Sequence, residues 1–135
     1  SIIKNCMNNK LIIDAAKNEI FFMIIKNDNR YNITHENNKN NYEKLTLLIN
    51  NFLRSQNLDF SKISQIYVNG GPGSFAGIRN SLSVVKALHL ANKTEYYCFN
   101  FADFHEENAV KYENIPDLCR KFKVKKNLIN PIYLS

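Results

Sequence analysis

All four glycines of this chain lie between positions 70 and 77, in the run Asn69-Gly70-Gly71-Pro72-Gly73-Ser74-Phe75-Ala76-Gly77-Ile78-Arg79. An apolar stretch precedes the run and a helical pattern follows it, so it reads as a strand-to-helix turn. Glycine enters positive φ without a Cβ penalty and lets another backbone or an anion come close. Pro72 stiffens the turn and Ser74 suits an N-cap, which leaves the amides of the first helical turn aimed back at the loop. No Gly-Lys-Ser/Thr follows, so this is not a Walker A sequence, and the glycines do not fall in the Gly-x-Gly-x-x-Gly order of dinucleotide sites. On these residues two readings stay open: a tight turn with no ligand, and an anion or nucleotide site at Gly71, Gly73, Ser74, Phe75, Gly77 and Arg79 with Asp14 beside it.

The pattern around that turn sets the chain order. Residues 10–15, 19–26 and 30–34 read as three strands of an antiparallel meander, and 37–41 as a polar linker. Tyr42, Leu45, Leu48, Ile49 and Phe52 recur at spacings of three and four, predicting a helix over 42–55. A short strand over 65–68, the glycine turn, a second long helix over 76–91 and a strand over 95–99 follow. Beyond lie a helix near 115–122 and the apolar tail Asn130-Pro131-Ile132-Tyr133-Leu134, expected to return to the same domain.

Composition narrows the class. A chain of 135 residues, 44% hydrophobic and 22% charged, is sized for one α/β domain with its own core. Its longest apolar runs are too short for a membrane span or a signal peptide, so a cytoplasmic location and no membrane partner are expected. The three cysteines and three histidines are scattered, which predicts reduced thiols and no metal site. The net charge of +6 is spread along the chain. Its one dense cluster, Arg120-Lys121-Phe122-Lys123-Val124-Lys125-Lys126, reads as a solvated helix end, so direct RNA binding is a minority reading.

Strand, strand, strand, helix, strand, helix, strand is the order of ribonuclease H-like domains and of each half of the actin-like ATPases. In nucleases of that fold, carboxylates from the first strand, the first helix and the end of the fourth strand hold divalent metal. Here those places are Asp14, Glu43 and Asn69. Asn69 breaks the set, and Asp14 reads as a cap on the turn between the first two strands.

The run Gly71-Pro72-Gly73-Ser74-Phe75-Ala76-Gly77-Ile78-Arg79 closely resembles the GPGSFTGLR loop of the TsaB (YeaZ) family, bacterial proteins that take part in the threonylcarbamoyl modification of transfer-RNA adenosine. Leu11-Ile12-Ile13-Asp14-Ala15-Ala16 is similar to the family's opening LAIDTA strand, Tyr42-Glu43 stands where the family commonly has His-Ser-Glu, Lys86 matches a lysine of the second helix, and Pro131-Ile132-Tyr133-Leu134 resembles its closing PVYLR. Asn41 stands in place of a histidine, Ala76 in place of a threonine, and Ser81, Ser83, Val84, Val85 and Ala87 in place of smaller residues or a threonine. Family members are two-lobed. The second lobe falls between segments that correspond here to about 101 and 115, so 105–114 reads as its remnant and the chain as a single lobe.

The resemblance implies a scaffold and activator with no catalytic residues of its own, binding no cofactor alone, with ATP entering only in complex. Its implied partners are a TsaD-like catalytic subunit and a TsaE-like ATPase, with tRNA met only indirectly. The two long helices carry more apolar side chains than a single sheet face can cover, which predicts a partner surface at Tyr42, Leu45, Phe52, Ser81, Val84, Val85 and Leu88. The chain is expected to form a homodimer through that patch in isolation and, as the resemblance implies, to exchange it there for the TsaD-like subunit. The alternatives are an ATP- or phosphate-binding, glycoprotease-like enzyme of the same fold, completed by a second chain, and an interaction module with unrelated partners.

Overall fold

Leu11, Ile12 and Ile13 are all fully buried, which only a strand covered on both faces achieves. That strand, β1 (Asn9–Asp14), is the centre of a five-stranded sheet in the order β3-β2-β1-β4-β5. The computed structural model describes residues 8–104 and 109–124. β2 (Glu19–Lys26) pairs antiparallel with β1, and β3 (Asn29–Glu36) antiparallel with β2, through a turn in which Asn27 takes φ 58°. On the other side β4 (Gln65–Asn69) runs parallel to β1, and β5 (Glu95–Phe99) parallel to β4. The mixed sheet with its helical crossovers is the α/β architecture that the element order predicts.

Alternation along the strands feeds two cores. Leu11, Ile13, Phe22, Ile24, Ile66 and Val68 point to one face, where α2 (Leu45–Ser55) contributes Leu45, Ile49, Phe52 and Leu53 and α3 (Phe75–Asn92) contributes Val85. Ile12, Met23, Tyr67 and Phe99 point to the other, covered by Phe104 and by Ile115, Leu118 and Cys119 of α4 (Ile115–Lys121). α3 ends where Lys93 turns left-handed at φ 56° and donates its amide to the His89 carbonyl, 2.8 Å away.

The strands over Glu19–Lys26 and Glu95–Phe99 fall where the sequence puts them. The long first helix does not. A separate turn, α1 (Lys39–Tyr42), occupies part of the expected linker because the Asn38 side chain caps it, accepting from the Asn41 amide at 2.9 Å. Lys44, at φ −126° and ψ 37°, leaves helical geometry, and α2 begins after it. The expected return of the tail near Tyr133 lies outside the described residues.

Leu53 is fully buried on α2, whereas Leu47 on the same helix is 53% exposed. Leu53→Ala is expected to cost about 2–5 kcal/mol, through lost transfer energy plus the cavity left behind. Leu47→Ala should stay within about 0.5 kcal/mol. Urea unfolding followed by circular dichroism checks both.

Candidate functional site

The glycine turn packs against the turn that follows β1. A Cβ on Gly73 would overlap the Ala16 carbonyl, and one on Gly77 would overlap the Ala15 carbonyl, so both glycines are required by backbone packed on backbone. Gly71 is buried at φ 111°, a conformation that favours glycine, and its bond to Pro72 is cis. Three of the loop amides find partners within the chain. Gly71 donates to Asn69 Oδ1 at 2.9 Å, Ser74 donates to the Ala16 carbonyl at 2.7 Å, and Gly77 donates to Ser74 Oγ at 3.1 Å. Ser74 is thus the N-cap of α3 that its position predicts. Phe75 and Arg79 stand exposed on the first turns of α3.

Asp14 lies beneath this contact, fully buried at the end of β1. Its Oδ1 accepts from the Ala16 amide at 3.0 Å and from Asn69 Nδ2 at 3.1 Å, which caps the β1–β2 turn and ties β1 to β4. Its Oδ2 accepts from the Tyr112 hydroxyl at 2.5 Å, and the Lys17 ammonium stands 3.8 Å away. Tyr112 comes from the short turn Tyr112–Asn114 ahead of α4 and stacks on Phe21 with ring centroids 4.0 Å apart. Lys17 also sits 4.4 Å over the Phe101 ring. Phe101 and Tyr112, both beyond β5, are therefore folded over the carboxylate and its lysine. Asn37 completes the arrangement, its side-chain amide donating to the Ala15 and Lys17 carbonyls at 2.8 and 2.7 Å.

Tyr112 and Asn37 are the residues that sequence reasoning misses. Tyr112 lies 98 positions from its acceptor, with no periodic signal to join them. Asn37 carries a weak signal, an asparagine just past the end of a strand. Of the nuclease positions, Asp14 and Asn69 meet, whereas Glu43 is exposed beyond α1. Among the described residues no group of three or more His, Cys, Asp and Glu side chains is placed to hold a metal ion. Burial pushes the Cys98 thiol up to about 11 and the Cys119 thiol up to about 12, so both are protonated and unreactive near neutrality. The described cysteines, Cys98 and Cys119, are free.

The helix residues expected at a partner surface divide. Leu45, Phe52, Ser81 and Val85 are buried in this chain's own core and cannot form an exposed patch, while Tyr42, Val84 and Leu88 are half-buried at its margin. A periodic apolar stripe records that a face is covered without recording by what. Here the sheet face is wide enough to take the stripes of both helices.

A sheet of this order, with helical crossovers on one face and a glycine turn closing onto the end of its first strand, is a ribonuclease H-like domain of the actin-like ATPase type. It aligns with YeaZ from Pseudomonas aeruginosa at a TM-score of 0.65 and 17% identity, covering 73% of this chain and 47% of that one. It also aligns with Thermus thermophilus RuvC in complex with a Holliday junction substrate, at a TM-score of 0.52 and 10% identity over 94% of this chain and 85% of that one. The family model described as TsaD: tRNA N6-adenosine threonylcarbamoyltransferase matches residues 32–122, and the chain belongs to that family. Within it lies the TsaB resemblance carried by the glycine loop: the tRNA threonylcarbamoyladenosine biosynthesis protein TsaB of Buchnera aphidicola subsp. Baizongia pistaciae (strain Bp) is 28% identical over 80 residues, 59% of this chain and 36% of that protein. The chain thus spans about half the length of YeaZ and about a third of the Buchnera protein. Among the described residues, no helix is long and apolar enough to cross a membrane.

Two substitutions check this geometry. In an open helix Gly→Ala stabilises by about 1 kcal/mol. Gly77→Ala should reverse that sign and destabilise by about 1–3 kcal/mol, because its Cβ meets a backbone carbonyl that cannot yield without moving the β1–β2 turn. Tyr112→Phe leaves Asp14 Oδ2 without its hydroxyl donor and should cost about 1–3 kcal/mol in thermal or urea unfolding. Burial foremost, then the bond to the Asp14 carboxylate, raise the Tyr112 phenol above its ordinary 10.0. Its contribution is whole below that value and is lost as pH rises past it, so wild type should lose stability above about pH 10 more steeply than Tyr112→Phe.

Proposed function

We propose that this chain acts in the biosynthesis of tRNA threonylcarbamoyladenosine as a non-catalytic subunit that binds and activates a TsaD-type catalytic partner. The observation that carries this reading is the state of Asp14. The carboxylate at the fold's metal-binding position is bound to Ala16, Asn69 and Tyr112 and sits under an aromatic turn, so it serves to hold the β1 turn, β4 and the segment after β5 together. The glycine loop is likewise packed on the chain's own backbone, with Gly73 and Gly77 against the Ala16 and Ala15 carbonyls and the Ser74 amide bonded to Ala16. Membership of the threonylcarbamoyltransferase family and the match to a TsaB protein supply the process.

The partner surface on this reading is the margin of α2 and α3, where Tyr42, Val84 and Leu88 remain half-exposed beside exposed Leu47. ATP, bicarbonate and threonine chemistry belong to the partners, a TsaE-like ATPase among them, and tRNA is met through the complex. The protein works in the cytoplasm, where tRNA is modified.

Co-expression with the TsaD-type subunit of the same organism, followed by affinity capture and size exclusion, tests the reading. A stoichiometric complex is expected. Val84→Glu should weaken it by about 3–5 kcal/mol, through burial of an unpaired carboxylate, while leaving the fold intact by circular dichroism. ATP hydrolysis by the chain alone should match buffer. Turnover by the isolated chain that vanishes in Ser74→Ala, or no complex with the TsaD-type subunit, would overturn the proposal.

A further inference from the structure

β3 is an edge of the sheet, and from Asn29 to Thr34 every residue along it is exposed, Tyr31 at 39% and Ile33 at 37%. Sheet edges are usually blunted by proline, by a bulge, by brevity or by charged side chains, and the charges here, Arg30 and Glu36, lie towards the two ends of the strand. This strand has eight residues and no proline, and its pairing to β2 runs without a bulge from Glu19↔Glu36 to Lys26↔Asn29. The tight turn makes Lys26 and Asn29 a hydrogen-bonded pair, and alternation then directs the amides and carbonyls of Asn29, Tyr31, Ile33 and His35 toward β2. The Asn37 amide, which has the same parity, does bond the Asn18 carbonyl at 3.0 Å. The backbone groups of Arg30, Asn32 and Thr34 therefore point away from the sheet.

We propose that this edge pairs antiparallel with β3 of a second copy of the same chain, on a two-fold axis through Ile33. Outward-pointing residues must then face outward-pointing residues, which restricts the axis to a single residue rather than a point between two. With the axis at Ile33, Asn32 of each copy bonds Thr34 of the other, Ile33 meets Ile33, Tyr31 meets His35, and Arg30 stands opposite Glu36 on both sides of the axis. Moving the axis to Asn32 would place Glu36 opposite Asp28 and leave Arg30 opposite Thr34. Moving it to Thr34 would run Arg30 past the strand end. Charge selects the Ile33 axis, since opposite charges directly across strands stabilise and like charges destabilise. Arg30 already pairs with Glu113 of its own chain at 3.4 Å, and with its side chain 53% exposed the guanidinium is shared in the dimer between Glu113 and Glu36 of the second copy. The two sheets join as one continuous sheet, and the margin of α2 and α3 stays free on its face.

Sedimentation velocity on the full chain, on Arg30→Glu, on Glu36→Arg and on an equimolar mixture of the two variants tests the pairing. Wild type is expected to dimerise in the micromolar range. Each variant alone sets two like-charge pairs across the axis and should dimerise at least tenfold more weakly. Their mixture restores opposite charges at both positions and should form a heterodimer with wild-type affinity, which a misfolded variant could not do. A monomeric wild type at several hundred micromolar, a single variant that dimerises like wild type, or a mixture that stays monomeric would overturn the pairing, and the first of these would leave the edge to a strand of a different chain.

Discussion

How closely the chain after β4 approaches the turn after β1 is the constraint on which the rest of the structure depends. The backbone of Gly73 and Gly77 lies on the carbonyls of Ala15 and Ala16, with no space for a Cβ between them. That contact fixes the start of α3, and the start of α3 sets the line along which Gly77, Ser81 and Val85 descend into the core. Beneath it, Asp14 and Asn69 bind the ends of two parallel strands that share no turn. An unpartnered carboxylate at this depth would be costly, and each donor around Asp14 offsets part of its desolvation.

These contacts give the glycine loop a meaning that its residue types leave open. Loops of this composition bring a backbone close to something, and here that something is the protein itself. Ser74 caps the helix, Asn69 holds Gly71, and Ala16 takes the Ser74 amide. The residue types of such a loop therefore record a close approach without recording what is approached.

The sequence revealed the sheet and the turn better than it revealed the surroundings of the site. β2 and β5 were legible because their continuous apolar runs are rich in aromatic and β-branched residues, are bounded by polar ones and are too short for a helix. The N-cap at Ser74 and the cap on the β1–β2 turn at Asp14 were legible because both bonds are local in sequence. Tyr112 was not, since its bond joins distant segments, and the start of α2 was not, since an asparagine cap at Asn38 competes with the apolar period that follows. The helix stripe misled at Leu45, Phe52, Ser81 and Val85 for a related reason: periodicity is the same whether the covering surface is the chain's own sheet or another protein.

The strand order also bears on how the chain is made. β1, β2 and β3 follow one another and can pair as soon as they leave the ribosome, but β1 must wait for β4, whose Asn69 is 55 residues beyond its partner Asp14. Until then the central strand of the sheet has one side open, and closing it requires a long loop to be ordered first. The nascent meander is thus the stage at which this protein is most exposed to misassociation, and the arrival of the glycine turn, which seats α3 on the β1 turn, ends it.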